Sequence, residues 1–152
     1  MKSTIFSIFA LAVTATSSYA EQLSSEALYC LQQNVFFEAR NQGIMGKTAV
    51  AWVTLNRVKS SKYPDDICSV VFQNKQFSWT HDGKSDTPSD NVIEQKAWEM
   101  SGLVARVAYD YWSEDFEGPI EQSVMFHADY VDPYWKSSYT KVAQIGDHIF
   151  YK

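Results

Sequence analysis

One segment in the first half of the chain constrains the fold more than any other feature. From about Gly46 to Val58, apolar residues occupy nearly every side of a predicted helix: Ala49, Val50, Ala51, Trp52, Val53, Leu55 and Val58. A helix that is apolar almost all round is normally the buried centre of a domain. Since the chain has 152 residues, the size of a single domain, we expect the other elements to surround this helix.

Two more helices are predicted by apolar residues at spacings of three and four. The first begins after a Ser24 or Ser25 cap, with Glu26 in its first turn, and ends near Gly43: Leu28, Leu31, Val35 and Ala39. The second follows a capping-box pattern of Asn91 and Glu94, and its stripe is predicted to face the core: Ile93, Ala97, Met100, Val104, Val107 and Tyr111. Asp65 or Asp66 caps a short helix that runs through Val71.

Short strands are predicted between these helices and the C-terminus. Gln76–Thr80 alternates between polar and apolar residues, and Ser123–His127 also favours a strand. Val142–Ile145 and His148–Tyr151 flank Gly146-Asp147, which is typical of a two-residue hairpin turn. The fold class that follows is α+β, mostly helical with a small antiparallel sheet.

The N-terminus has the pattern of an export signal. Lys2 precedes an apolar stretch from Ile5 to Val13, and Ser18-Tyr19-Ala20 fits a small-x-small cleavage site. We therefore expect a signal peptide over 1–20 and a single domain over 21–152, secreted or periplasmic. An uncleaved anchor is the alternative, although the apolar stretch is short for a spanning helix.

The cysteine count and the net charge bear on disulfide formation and on the partners of the protein. Cys30 and Cys68 are the only two cysteines, and in an oxidising compartment they predict a disulfide; two buried free thiols are the alternative. The formal net charge of -5 argues against a nucleic-acid partner. After signal cleavage we expect no membrane association, and we expect a monomer.

Glu38 is the first candidate for chemistry. It shares a helix face with Leu31 and Val35, and a carboxyl on the edge of an apolar stripe is partly desolvated. Desolvation raises the pKa, so such a group can act as the general acid of glycoside cleavage. The alternative is a structural glutamate paired with Arg40, Lys47 or Arg57.

Two other groups could bind a sugar. On the predicted strand, Gln76, Ser78 and Thr80 share a polar face, which is equally consistent with a plain amphipathic edge strand. His127, Tyr134 and Trp135 provide rings that could stack on sugars or fill the core. His81, His127 and His148 have no metal-ligand spacing, so we expect no metal and no cofactor.

Several motifs in order resemble the SleB-type cell-wall hydrolases, named after spore cortex-lytic enzymes. Asn34-Val35-Phe36-Phe37-Glu38-Ala39-Arg40 resembles the family's Asn-x-(Tyr/Phe)-x-Glu-Ala-Arg signature. Similar motifs follow in the family's order: Val50–Val58, Tyr63-Pro64, Ile67–Phe72, Gln76–Trp79, Phe126–Ala128, Pro133 with Trp135, and Ile145–Tyr151. The family often has Tyr-His before the glutamate, where this chain has Phe36-Phe37, so no role of that histidine is carried over.

The resemblance implies a lysozyme-like or transglycosylase-like fold that acts on peptidoglycan, with Glu38 as the catalytic acid. It implies cleavage between N-acetylmuramic acid and N-acetylglucosamine by a lytic transglycosylase, with Gln76, Ser78, Thr80 and His127 in the groove. A hydrolytic muramidase is the alternative, and it would need a second carboxylate from Asp129, Asp132 or Asp147. A non-catalytic glycan-binding module and a zinc amidase are two further alternatives.

Overall fold

The computed structural model describes residues 23–152, so the predicted signal peptide lies outside the described residues. Four α-helices come first: α1 (Ser25–Ala39), α2 (Ile44–Lys59), α3 (Ile67–Val71) and α4 (Val92–Ser113). Three strands follow: β1 (Met125–Ala128), β2 (Lys141–Ile145) and β3 (His148–Tyr151). Two short 3₁₀ turns lie at Ser78–His81 and Tyr134–Ser138. The predicted α+β class is confirmed.

Helix α2 is the centre of the domain. Val50, Val53 and Leu55 are completely buried, and helices α1, α3 and α4 all pack against α2. The predicted caps of two helices are also confirmed, because the Ser24 side chain accepts from Ala27 N and the Asp66 side chain accepts from Ser69 N. A disulfide between Cys30 and Cys68 joins α1 to α3. None of the helices within 23–152 is both long and apolar enough to cross a membrane.

The strands form one antiparallel sheet in the order β1-β3-β2. The predicted hairpin is confirmed, and its turn has Gly146 at φ 57°, a conformation that glycine adopts without strain. This turn packs on the segment after α1, where Gln42 Nε2 donates to Asp147 Oδ2 (2.9 Å) and Asp147 N donates to Gln42 Oε1 (3.1 Å). The hairpin is thereby held close to the end of the helix that carries Glu38.

The prediction of a strand at Gln76–Thr80 is wrong, because Ser78–His81 forms a 3₁₀ turn. Thr80 Oγ1 donates to the Phe77 carbonyl oxygen at 2.9 Å, and Thr80 N donates to the same oxygen at 3.3 Å. A hydroxyl that bonds its local backbone in this way competes with a strand ladder. The alternation reflects burial instead, since the Phe77 and Trp79 side chains enter the core while Ser78 is exposed.

The predicted core stripe of α4 is also wrong in its register. Ile93 is 77% exposed, and Met100, Val107 and Tyr111 are exposed as well. Val104 is the one member of the predicted stripe that is buried, and the other buried residues of α4 lie beside it: Ser101, Ala105 and Ala108. Small side chains let α4 approach α1 and α2 closely, so they occupy the contact although larger apolar residues lie beside them. The prediction that Gly43 ends α1 is wrong. Helix α1 stops at Ala39, and Gly43 is the N-cap residue of α2.

Lys47 fixes the end of α1. Its ammonium group donates to three carbonyl oxygens at and just after the end of α1, those of Ala39 (2.8 Å), Arg40 (2.7 Å) and Gln42 (2.6 Å). The carbonyl groups of Ala39 and Arg40 are among those that a helix C-terminus leaves without partners inside the helix. We expect Lys47→Met to lower the free energy of unfolding by about 2–4 kcal/mol, because buried carbonyl groups would lose charge-assisted bonds.

Urea denaturation measures this loss, and Lys96→Met is the matched control. Lys96 is exposed on α4, so the same substitution there is expected to change the free energy of unfolding by no more than about 0.5 kcal/mol. Equal stability of the two variants would contradict the role assigned to Lys47.

Candidate active site

Glu38 lies in the last turn of α1, beside a cavity of about 300 Å³. The cavity is bounded by the end of α1 on one side and by β1 and the hairpin turn on the other. Its lining comprises Phe37, Glu38, Ala39, Arg40, Asn41, Gln42, Ala128, Tyr130, Asp147 and His148. A carboxyl group therefore faces a pocket that three different parts of the chain enclose.

The Glu38 side chain makes no hydrogen bond and no ion pair with another residue in 23–152. Arg40, one predicted partner, pairs with Glu94 at 2.7 Å, and Lys47 donates to the backbone as described. Arg57 remains the cation that acts on Glu38 through space. The structural explanation of Glu38 as half of an ion pair is therefore not supported.

Burial raises the pKa of Glu38 from 4.5 to about 7, because removing a carboxylate from water disfavours its charged form. Attraction to the Arg57 guanidinium lowers the pKa of Glu38, but this effect is smaller than that of burial. A carboxyl with a pKa near 7 holds its proton over much of the neutral range and can still release it. These are the properties of a general acid.

Arg57 is buried behind Glu38, with only 3% of its surface exposed. Its Nε donates to the Val124 carbonyl oxygen at 2.8 Å, and its guanidinium carbon lies 5.0 Å from the Phe77 ring centroid and 5.3 Å from that of Tyr63. Its Nη1 has no hydrogen-bond partner within 23–152. The positive charge is thus fixed in place, and one of its donor groups is uncommitted.

A larger cavity of about 800 Å³ adjoins the first, because Phe37 and Arg40 line both. Its other wall is the loop that follows the Ser78–His81 turn. Glu94 holds this loop by accepting from Ser89 N (3.0 Å) and Ser89 Oγ (2.7 Å), and Gln33 Nε2 donates to the Asp86 carbonyl oxygen. Glu38 lines the smaller of these two neighbouring cavities and not the larger one.

A buried polar network holds Trp79, whose ring lines the larger cavity together with Phe37. Trp79 Nε1 donates to Asn34 Oδ1 (3.3 Å), and Asn34 Nδ2 donates to Thr54 Oγ1 (3.0 Å). The Trp79 ring stacks on Phe37, with centroids 4.7 Å apart. Asn34, one helical turn before Glu38, therefore links α1 to α2 and to Trp79, whose ring supports Phe37.

The predicted sugar-binding residues divide into two groups. Among them, Ser78 lines the larger cavity. The others line neither of the two cavities: Gln76, Thr80, His127, Tyr134 and Trp135. Tyr134 is 94% exposed, so its ring is free to contact a long ligand outside the cavities.

His127 is committed to contacts within the protein. Its Nδ1 donates to the Ala128 carbonyl oxygen (2.8 Å), its Nε2 accepts from the Tyr151 hydroxyl (2.9 Å), and its ring stacks on Tyr151. The Trp135 ring packs edge-on against both. This cluster lies on the opposite face of the sheet from Phe126, Phe150 and the cavity.

The sequence analysis considered His148 only as a metal ligand and as part of the Ile145–Tyr151 motif, and did not predict that it lines the cavity with Glu38. The alternation of β3 could have predicted this position. His148 and Phe150 lie on the same face of the strand, and the apolar Phe150 indicates that this face points inward. Within residues 23–152, no three His, Cys, Asp or Glu side chains are grouped so as to hold a metal ion.

Several known proteins are similar to this chain. Residues 41–151 match a family described as Cell Wall Hydrolase. The spore cortex-lytic enzyme of Oceanobacillus iheyensis is 26% identical over 145 residues, covering 91% of this chain and 46% of that protein. That of Bacillus subtilis is 27% identical over 128 residues, covering 84% and 38%. The chain thus spans less than half the length of these relatives.

Two solved structures are similar over nearly their whole length. One is the catalytic domain of the germination-specific lytic transglycosylase SleB from Bacillus anthracis, with a TM-score of 0.70 and 25% identity, covering 87% of this chain and 98% of that one. The other is the catalytic domain of Bacillus cereus SleB, with a TM-score of 0.65 and 26% identity, covering 84% and 91%. The expected lysozyme-like arrangement of helices and small sheet agrees with these domains.

Proposed function

Because this chain belongs to the cell wall hydrolase family, we propose that it cleaves the glycan strands of peptidoglycan as a lytic transglycosylase. The observation that supports this most directly is Glu38, a carboxyl without an ion pair, whose pKa burial raises to about 7 beside an open cavity. The similarity to a germination-specific lytic transglycosylase supports the same reaction.

In this proposal Glu38 acts first as an acid. Its proton passes to the oxygen that bridges N-acetylmuramic acid and N-acetylglucosamine, the glycosidic bond breaks, and an oxocarbenium-like state develops on the muramyl ring. The Glu38 carboxylate then accepts the proton of the muramyl C6 hydroxyl. The C6 oxygen bonds to the anomeric carbon and forms a 1,6-anhydro ring, so Glu38 regains its proton and no water is consumed.

Arg57 supports the second half of this cycle. When Glu38 has lost its proton, it is a carboxylate in a partly dry site, and such an ion is costly without a counter-charge. The fixed guanidinium supplies that counter-charge, and it lowers the pKa of Glu38 less than burial raises it, so the pKa remains above its ordinary value. One carboxyl can therefore serve as acid and then as base.

A hydrolytic muramidase is the second candidate, because Asp147 lies in the same cavity as Glu38. Asp147 is exposed, and its carboxylate accepts from Gln42, which favours a structural role for it. Asp132 forms an ion pair with Lys136, and Asp129 is exposed on the loop after β1. None of these three carboxylates is therefore a strong candidate for the general base that a hydrolytic mechanism needs to activate water.

Mass spectrometry of a peptidoglycan digest separates the two candidates. With purified sacculi as substrate, we expect muropeptides that end in 1,6-anhydromuramic acid, each lighter by one water than a hydrolysed product. Reducing muramic ends would instead establish a muramidase. Binding to sacculi without loss of turbidity would favour a non-catalytic module, and inactivation by a chelator would favour a zinc amidase.

The wider setting of the enzyme follows from the same proposal. A peptidoglycan substrate requires a location outside the cytoplasmic membrane, so the protein is secreted or periplasmic, with cleavage of residues 1–20 leaving a single catalytic domain over 21–152. The disulfide between Cys30 and Cys68 is consistent with an oxidising compartment.

A further inference from the structure

Helix α4 carries a row of exposed apolar side chains along its outer face. Their exposed fractions range from 40% to 77%, and the row, called here the α4 stripe, comprises Ile93, Met100, Leu103, Val107 and Tyr111. Because they recur at spacings of seven, three, four and four residues, they share one side of the helix over a length of about 27 Å. Single exposed apolar residues are normal, whereas a continuous apolar patch marks a surface that binds a partner.

Charged side chains follow the other edge of the same exposed face. Glu99, Arg106 and Asp110 form this charged edge, and Lys96 lies nearer the middle of the face, beside Leu103. Lys96 and Glu99 form no ion pair with another residue in 23–152, and Arg106 reaches Asp110 only at 3.9 Å. The face therefore has an apolar edge and a charged edge, and the charges include two of each sign.

This pattern is complementary to a second copy of itself in the antiparallel orientation. When two identical helices pack about a twofold axis beside Leu103, residues at equal distances before and after Leu103 face each other. Lys96 lies seven positions before Leu103 and Asp110 seven positions after it, so these opposite charges meet. Glu99 and Arg106, four positions before and three after, also meet to within about 1.5 Å along the helix axis.

The two edges of the face distinguish antiparallel from parallel packing. About a twofold axis perpendicular to the helices, the apolar edges of the two copies face each other, and Met100 of one copy meets Val107 of the other. A parallel pair would set the apolar edge of each copy against the charged edge of its partner, which leaves charges desolvated without a counter-charge. No residue of the α4 stripe lines either of the two cavities near Glu38, so this packing leaves both open.

We propose that two copies of this chain form an antiparallel dimer through the α4 stripe, with Leu103 at the twofold axis. The dimer replaces the monomer expected from the sequence. Since a single helix face is a small interface, we expect a dimer Kd of about 10–100 µM. The inference does not depend on the proposed function, because it rests on the surface of α4 alone.

Leu103→Glu tests the centre of the interface, with sedimentation equilibrium of the wild type and the variant between about 5 and 500 µM as the measurement. The dimer Kd is expected to rise at least about a hundredfold, because each dimer would hold two carboxylates facing each other at its axis. Ile44→Glu is the matched control, since Ile44 on α2 is as exposed as Leu103, at 62%, and lies outside the stripe. The control should dimerise like the wild type.

Charge reversal tests the antiparallel orientation. Glu99→Arg places arginines opposite each other twice in the dimer, so its Kd should rise at least about fivefold, and adding Arg106→Glu should restore the Kd to within about threefold. All of these positions are exposed, so the variants should keep the wild-type melting temperature in dilute solution. A wild type that stays monomeric throughout, or a dimer that survives Leu103→Glu, would overturn the interface. A double variant that associates no better than Glu99→Arg would overturn the antiparallel orientation.

Discussion

Glu38→Gln is expected to reduce the rate of peptidoglycan lysis by at least about a thousandfold, because the amide cannot donate a proton to the glycosidic oxygen. The substitution keeps the size and hydrogen-bonding shape of the side chain, so the substrate should still bind. Turbidity loss of purified sacculi measures the rate, and sedimentation with sacculi measures binding. A variant that lyses sacculi at close to the wild-type rate would remove Glu38 from the mechanism.

The wild-type pH profile tests the same residue without a substitution. The acid must be protonated, so activity is expected to fall as the pH rises through about 7, by roughly tenfold for each further pH unit. A profile that stays flat up to pH 9 would contradict the raised pKa of Glu38.

The raised pKa of Glu38 also makes stability depend on pH, with the loss occurring as the pH rises. The pKa of Glu38 is higher in the folded protein than in the unfolded chain, so the folded state binds this proton more tightly. The contribution of Glu38 to wild-type stability therefore falls as the pH rises from about 4.5 to about 7, by up to about 3 kcal/mol, since one pKa unit corresponds to about 1.4 kcal/mol. Glu38→Gln lacks this loss, so at pH 8 the inactive variant should melt at a higher temperature than the wild type. At pH 4 the two should be alike.

Arg57→Met is expected to lower kcat by roughly tenfold or more. It should also shift the alkaline limb of the pH profile, the range in which activity falls as the pH rises, to higher pH. Without the guanidinium, the effect that lowers the pKa of Glu38 is lost, so the carboxyl becomes a weaker acid and its carboxylate loses a counter-charge. A residue that merely supported the fold would change the amount of active protein and not the position of the limb.

Arg57→Lys is the matched control, because it keeps a positive charge at the same place on α2. We expect its alkaline limb to stay close to that of the wild type even if its melting temperature falls with the loss of the Val124 contact. An identical limb in Arg57→Met and the wild type would show that Arg57 does not tune Glu38. If the alkaline limb shifts in both variants, the shift results from altered packing and not from the loss of charge.

Local patterns predicted much of this fold. The apolar sequence of α2, the caps at Ser24 and Asp66, and the turn at Gly146 each depend on interactions within a few residues, and the structure has them where they were expected. The errors came where tertiary contacts outweigh local pattern. The alternation around Phe77 predicts a strand, but no strand pairs with this segment, and Thr80 bonds the local backbone instead.

The sequence by itself determined that Glu38 lies on an apolar helix face and that one disulfide could form. Only the tertiary structure decided which charges surround Glu38, because Arg40 and Lys47 are near it in sequence yet bond elsewhere, while Arg57 approaches it from a different helix. The same holds for His148, far from Glu38 in sequence, which the sheet brings into its cavity. A pKa depends on burial and on charges in space, and spacing along a chain specifies neither until the helices and the sheet have packed.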